Sequence, residues 1–181
     1  MYRSQASIRQ SEQHSKDHPS KSRQPGQQQP ISPAQAATDK CERLLAYRER
    51  SSGELRKRLL EAGFSAAITE STVARYVAAG LVDDERFCRL FIESKRGQSW
   101  GMQRIIRSLY SYGIQVTDYP EVLQAFSDEA DELERAMAAL NSYRGRAKDA
   151  YTGRFRYLVA KGFSPGVVRQ ALHDWVGQQN G

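Results

Sequence analysis

The chain has 181 residues, 39% of them hydrophobic, with 27 Lys and Arg against 21 Asp and Glu and a mean hydropathy of −0.68. That length holds one substantial core or a row of small ones. No stretch approaches the ~18 apolar residues needed to span a bilayer, and the first residues lack the apolar region of a secretory signal, so a cytoplasmic protein is expected.

Met1 to Ala36 is rich in Gln, Ser, Lys and Arg and holds four of the six prolines, Pro19, Pro25, Pro30 and Pro33. With almost no large apolar residues it cannot offset its own ordering entropy, which predicts a disordered tail. From Ala37 onward there are 22 Lys and Arg against 19 Asp and Glu, a net charge of about +3. The charges are unevenly placed. Six bases fall between Arg86 and Arg107, seven acids and no base between Asp118 and Glu134, and six bases between Arg144 and Lys161. This predicts separated basic and acidic surfaces. Cys41 and Cys88 lack metal-ligand spacing and read as buried, reduced thiols.

The folded region reads as helix after helix. Apolar residues recur at i, i+3, i+4, i+7 through Phe87–Ser94, Met102–Leu109, Leu133–Leu140 and Val168–Trp175, the signature of one helix face. No run alternates at period two. Ser51 with Glu54 three residues later reads as a capping box that starts a helix near Ser52. Asp83 is a good N-cap, Asp84 and Glu85 then face the positive end of the dipole, and Val82 and Phe87 are spaced as a hydrophobic staple. Gly63, Gly80, Gly113 and Gly162 stand where a left-handed residue closes a helix. Pro120 and Pro165 fall near helix starts.

The glycines also mark a repeat. Leu59-x-x-x-Gly63-Phe64 returns as Leu109-x-x-x-Gly113-Ile114 and as Leu158-x-x-x-Gly162-Phe163, with the glycines 50 and 49 residues apart. This predicts an all-α protein of three tandem three-helix repeats, each with its glycine after the second helix and each packing on its neighbours. The expected organisation is a basic tail over 1–36, then repeats over 37–83, 84–126 and 127–177.

Arg48-Glu49-Arg50-Ser51-Ser52-Gly53-Glu54-Leu55, followed by Leu59 and Gly63, resembles the opening repeat of the RecX family. Gly80-Leu81-Val82-Asp83-Asp84-Glu85-Arg86-Phe87 is similar to the acidic segment at the start of that family's second repeat. Gly101-Met102-Gln103-Arg104-Ile105, with Leu109, Gly113 and Ile114 behind it, resembles the next segment. The match runs from Ala37 to Trp175. It implies an elongated, curved array of the three repeats. It also implies a non-enzymatic regulator that binds the RecA recombinase, or RecA-coated single-stranded DNA, and inhibits recombinase and ATPase activity in DNA repair; some members of the family also touch DNA directly. Two positions depart from the pattern. Cys88 stands where the family has Ala, and Arg154 replaces the apolar residue that Leu55 and Ile105 supply at the matching position.

The residues offer no catalytic constellation. His14, His18 and His173 are not placed with a nucleophile, and no Gly-x-x-x-x-Gly-Lys-Ser/Thr loop provides for ATP. Asp83, Asp84 and Glu85 read as helix caps rather than metal ligands. No catalytic residue, metal or cofactor is therefore expected. The candidates for contact with RecA or DNA are Arg89, Lys95, Arg96, Arg104, Arg107, Arg144, Arg146, Lys148, Arg154 and Arg156. The last five are interleaved with Tyr143, Tyr151, Phe155 and Tyr157. Guanidinium groups pair with phosphate or carboxylate, and neighbouring rings stack on bases or fill protein pockets. A monomer is expected. The alternative reading of the same cations is an autonomous helical DNA-binding protein.

Overall fold

The computed structural model describes residues 31–145 and 149–179, and all its regular elements are helical. The expected tail lies outside the described residues up to residue 30. Its last part is helical: α1, Pro33–Tyr47, starts inside the segment assigned to the tail. Pro33 is not loop punctuation but the first residue of this helix, where its missing N–H costs nothing. The Ser32 hydroxyl caps it, accepting from Gln35 N at 3.2 Å.

Then follow α2 (Ser52–Glu61), α3 (Ala66–Ala78), α4 (Asp84–Gly97) and α5 (Met102–Ser111). A 3-10 turn over Val116–Asp118 leads into the short α6 (Pro120–Ala125), and α7 (Glu129–Ser142), α8 (Ala150–Lys161) and α9 (Pro165–Gln179) complete the order. Short polar side chains start most of them. Ser51, Ser65, Asp83, Asp128 and Asp149 each accept from a backbone N–H two or three residues on, filling orphan donors of the first turn. The middle group differs from its neighbours in that a 3-10 turn and six residues of α6 stand where a full third helix is expected. Tyr119, held out of the α-region by the proline that follows it, separates the two pieces.

The repeated Leu-x-x-x-Gly-apolar motif is a Schellman stop. Phe64, Ile114 and Phe163 donate their N–H groups to the carbonyls of Leu59, Leu109 and Leu158 at 3.2, 3.1 and 3.2 Å. The preceding glycines adopt φ of +87°, +75° and +86°, a conformation that costs a residue with a Cβ about 1 kcal/mol or more. The three leucines are fully buried, so one motif both ends a helix and seeds a core.

The buried apolar side chains fall into three clusters in chain order. The first centres on Leu55, Leu59, Val73 and Tyr76, the second on Ile92, Ile105, Leu109 and Ile114, and the third on Leu140, Leu158, Val168 and Leu172. What connects them is polar and tight. The C-terminus of α5 meets the N-terminus of α2, where the Ser51 hydroxyl donates to the Tyr112 carbonyl at 2.6 Å. The C-terminus of α8 meets the N-terminus of α5 in the same way: Gly101 N donates to Lys161 O at 2.9 Å and Gln103 N to Gly162 O at 3.2 Å. Carbonyls left orphaned at one helix end are satisfied by donors of the next helix, and opposite dipole ends face each other. A carboxylate seals each joint. Asp84 accepts from Ser52 N at 2.7 Å, and Glu132 from Met102 N at 3.0 Å.

Both joints need glycine on both sides. A Cβ on Gly53 would stand 2.6 Å from Tyr112 O and 2.7 Å from the Gly113 Cα, and one on Gly101 would overlap the Gly162 carbonyl and Phe163 N. Gly101→Ala is therefore expected to lower stability by about 1–3 kcal/mol, the cost of forcing volume into a packed site. Gly97→Ala, where a methyl meets nothing within 4 Å, is expected to be neutral or to stabilise by up to about 1 kcal/mol. Urea unfolding midpoints test the contrast; equal midpoints for the two variants would show that the second joint is not closed.

Candidate partner interface

The expected capping box at the start of α2 is half formed. Ser51 accepts from Glu54 N at 3.1 Å, but the Glu54 carboxylate does not turn back to the backbone. It is buried and takes Arg48 at 2.6 Å and, through a very short contact, Arg50. Two guanidinium groups within reach outcompete a neutral amide. The acidic triplet of α4 is likewise spent on structure: Asp83 caps, Asp84 binds Ser52, and Glu85 pairs with Arg89 at 2.7 Å.

The ten candidate cations divide by what they touch. Arg89 is held by Glu85. Arg96 is half-buried, bonded to Asp131 and stacked 5.0 Å from the Phe126 ring. Lys95 sits 5.4 Å from the Phe91 ring and 5.0 Å from Trp100. Arg104 lies 3.7 Å from the same Trp100 ring. Arg154 occupies the place matched by the fully buried Leu55 and Ile105. It fits there because its guanidinium stacks 4.1 Å from Trp175 and 5.3 Å from Tyr143, with Nη1 donating to Ala150 O. Planar guanidinium tolerates such a site where an ammonium would not. Arg107, Arg144 and Arg156 are exposed. The first donates to Gln103 O and the second to Asn141 O and Tyr143 O, so no carboxylate engages either one among the described residues. Arg146 and Lys148 lie outside the described residues.

Two cations of structural weight carry no sequence signal of their role. Arg135 donates to Asp131 at 2.9 Å and to the Trp100 carbonyl at 2.6 Å, and Lys161 donates to Gln98 O at 3.2 Å. Both tie the second and third clusters together. Asp131 is an ordinary i−4 partner of Arg135, but the Trp100 and Gln98 carbonyls lie 35 and 63 residues from Arg135 and Lys161, beyond the reach of any helical spacing rule. The run of acids over Asp118–Glu134 is accordingly not a plain acidic surface, since Asp131 and Glu132 work inside the joint.

Two open grooves run beside these cations. The larger, about 610 Å³, lies between α5 and the α8–α9 pair and is walled by Ile106, Arg107, Phe155, Val159, Phe163 and Val168. The smaller, about 410 Å³, lies between Arg48–Glu49 and Leu90, Phe91 and Lys95 of α4. Cys41 and Cys88 are buried and unpaired, and burial pushes the Cys88 thiol up to about 11, so neither is an activated nucleophile.

Charge stacked on rings beside apolar grooves, on a framework of helices joined end to end, defines the class: an all-helical scaffold with a cation-bearing, grooved surface. Comparison with known proteins gives it a family. Residues 37–75 match the family model for the first three-helix domain of RecX. The regulatory protein RecX of Acidithiobacillus ferrooxidans is 32% identical over 134 residues, 72% of this chain and 84% of that one. That of Thermus thermophilus is 34% identical over 140 residues, 77% and 90% of the two chains. The crystal structure of RecX from Lactobacillus salivarius superposes with a TM-score of 0.66 at 13% identity, over 78% of this chain and 96% of the other. This chain belongs to the RecX family of regulatory proteins. No helix among the described residues is long and apolar enough to cross a membrane.

The Arg96–Asp131–Arg135 cluster gives the second joint a pH dependence. Burial pushes the Asp131 carboxyl up, but hydrogen bonds from Arg96 and Arg135 together outweigh it and hold the group below the ordinary aspartate range. A carboxyl depressed in the folded state stabilises fully above its unfolded pKa and loses that contribution as the pH falls through the folded value. Asp131→Asn is thus expected to cost about 1 kcal/mol at pH 7, discounted because the carboxylate is about a third exposed. The gap to wild type should close below about pH 4. Unfolding in urea at pH 7 and pH 3 tests this, and an equal gap at both would rule it out.

Proposed function

We propose that this chain is a cytoplasmic, monomeric modulator of the RecA recombinase that binds RecA filaments on single-stranded DNA and lowers their ATP hydrolysis and strand exchange. Membership of the RecX family carries the reading. The surface chemistry supports it: α5 and α8 carry Arg104, Arg107, Arg154, Arg156 and Lys161 and no carboxylate. A face of that kind attracts the acidic side chains or phosphates of a nucleoprotein. Three cores linked in series can engage more than one subunit of a repeating filament, and bridging adjacent subunits hinders their exchange. The effect on hydrolysis is exerted on the partner.

Titration of the protein into RecA on single-stranded DNA is expected to lower ATP hydrolysis at sub-stoichiometric to stoichiometric ratios. Changing Arg107, Arg144 and Arg156 together to Ala should raise the concentration for half inhibition about tenfold, equal to ~1.4 kcal/mol. Arg89→Ala should leave it within about twofold, because its guanidinium is already engaged by Glu85. Unchanged hydrolysis across that range, with tight salt-dependent binding to duplex DNA in the absence of RecA, would instead identify an autonomous DNA-binding protein.

A further inference from the structure

We infer that the groove between α5 and the α8–α9 pair receives an acidic segment of the protein partner that carries two or three bulky apolar side chains; the identity of that partner rests on the function proposed above. Tyr151, Phe155 and Val159 stand at i, i+4 and i+8 on α8 and are 48%, 42% and 48% exposed. They form an unpartnered apolar stripe about 12 Å long on a helix whose other face is core. Phe155 and Val159 continue into the groove wall, which is completed by Ile106, Phe163 and Val168. Fully covering such a stripe removes apolar surface from water, and aromatic side chains in a concave site are the usual anchors of protein recognition.

The flanks state the sign of the occupant. Arg107 stands in the groove wall and Arg156 is exposed beside the stripe, while α5 and α8 together contribute five cations and no carboxylate. Arg107 spends only Nε, on the Gln103 carbonyl at 3.2 Å, which leaves its η nitrogens for a carboxylate in a fork geometry. Two occupants from this chain itself fit poorly. Residues 1–30 carry five Lys and Arg against two acids and would add like charge. A second copy could present two acidic segments, of which Asp118–Glu134 offers no exposed large apolar side chain, and Asp83–Glu85, beside the exposed Leu81, is already engaged by the α4 cap, Ser52 and Arg89. Nucleic acid fits less well than protein, because the groove wall is mostly apolar and holds one cation only for phosphates.

The test uses the full chain with a photo-crosslinking phenylalanine analogue at Val159, irradiated on RecA filaments on single-stranded DNA, with adducts mapped by mass spectrometry. Adducts confined to a RecA segment in which an apolar residue is flanked by carboxylates are expected. Alongside it, Val159→Asp and Arg107→Glu should each raise the concentration for half inhibition of ATP hydrolysis about tenfold or more. Their thermal unfolding should stay at the wild-type temperature, since both side chains are substantially exposed. Adducts with DNA alone, adducts with a second copy of this chain, or wild-type inhibition by both variants would each overturn the inference and leave the RecA reading standing. A wild-type chain without effect on RecA would remove that reading and the inference with it.

Discussion

The structure depends on two joints in which the C-terminus of one helix is set directly against the N-terminus of another, bridged by the Ser51 hydroxyl at the first and by backbone hydrogen bonds at the second. Each joint answers two demands at once. The last carbonyls of α5 and α8 need donors, and the first amides of α2 and α5 need acceptors. At the second joint the facing ends satisfy each other, whereas at the first the Ser51 hydroxyl serves Tyr112 O and Asp84 takes Ser52 N; glycine on each side allows the approach, Gly53 against Gly113 and Gly101 against Gly162. The Schellman stop makes this possible. A left-handed glycine turns the chain away sharply and leaves the helix end open to a neighbour; Gly113 and Gly162 each meet one, whereas at Gly63 a Cβ would find nothing within 4 Å. Each of the three small cores is modest; closing the joints is what allows them to support one another.

Much of this fold is legible in the sequence, for identifiable reasons. The all-helical class follows from apolar spacing, and the helix stops follow from glycines whose positive φ no other residue adopts cheaply. Those are local signals, and local physics sets them. The joints are not legible, because Gly53 and Gly101 look like ordinary small residues near a helix start and their partners lie about 60 residues away. Glu54 is the sharper case. Spacing alone makes it the second half of a capping box, and only the fold reveals that Arg48 and Arg50 converge on it. The acids of α7 mislead in the same direction. As a run they read as surface, whereas Asp131 and Glu132 each meet a group from the preceding cluster.

The candidate cations show the same boundary. Their clustering and their aromatic neighbours can be read directly, but which of them remain available can be read only where the engaging group lies one helical turn away. Arg89 and Arg107 look equivalent as exposed arginines on helices; one has a carboxylate at i−4 and the other a glutamine, and that single difference decides which is spent. Arg154 reads as an intruder in a core position. The rings of Trp175 and Tyr143 explain it, for a guanidinium between two rings keeps much of its interaction energy after leaving water.

Stacked and free cations differ in what they can contribute to binding. A free arginine loses up to about 2 kcal/mol of side-chain entropy when a partner fixes it. One already held on a ring has lost much of that freedom in the unbound protein, and its in-plane N–H donors remain usable. Arg104 is of the second kind and rests on Trp100, which the Lys95 ammonium also approaches and whose carbonyl is held by Arg135. Arg104 also packs directly on the second joint, since a Cβ on Gly162 would strike its own Cβ. Arg107 follows one turn later on the same helix, facing Phe155 and Val159 across the groove. The spacing between cation and apolar wall is therefore set by the Gly101–Gly162 contact. Any change in the angle between the second and third clusters moves Arg104 and Arg107 relative to α8, so the contact that holds the array together also fixes these cations relative to the apolar stripe of α8.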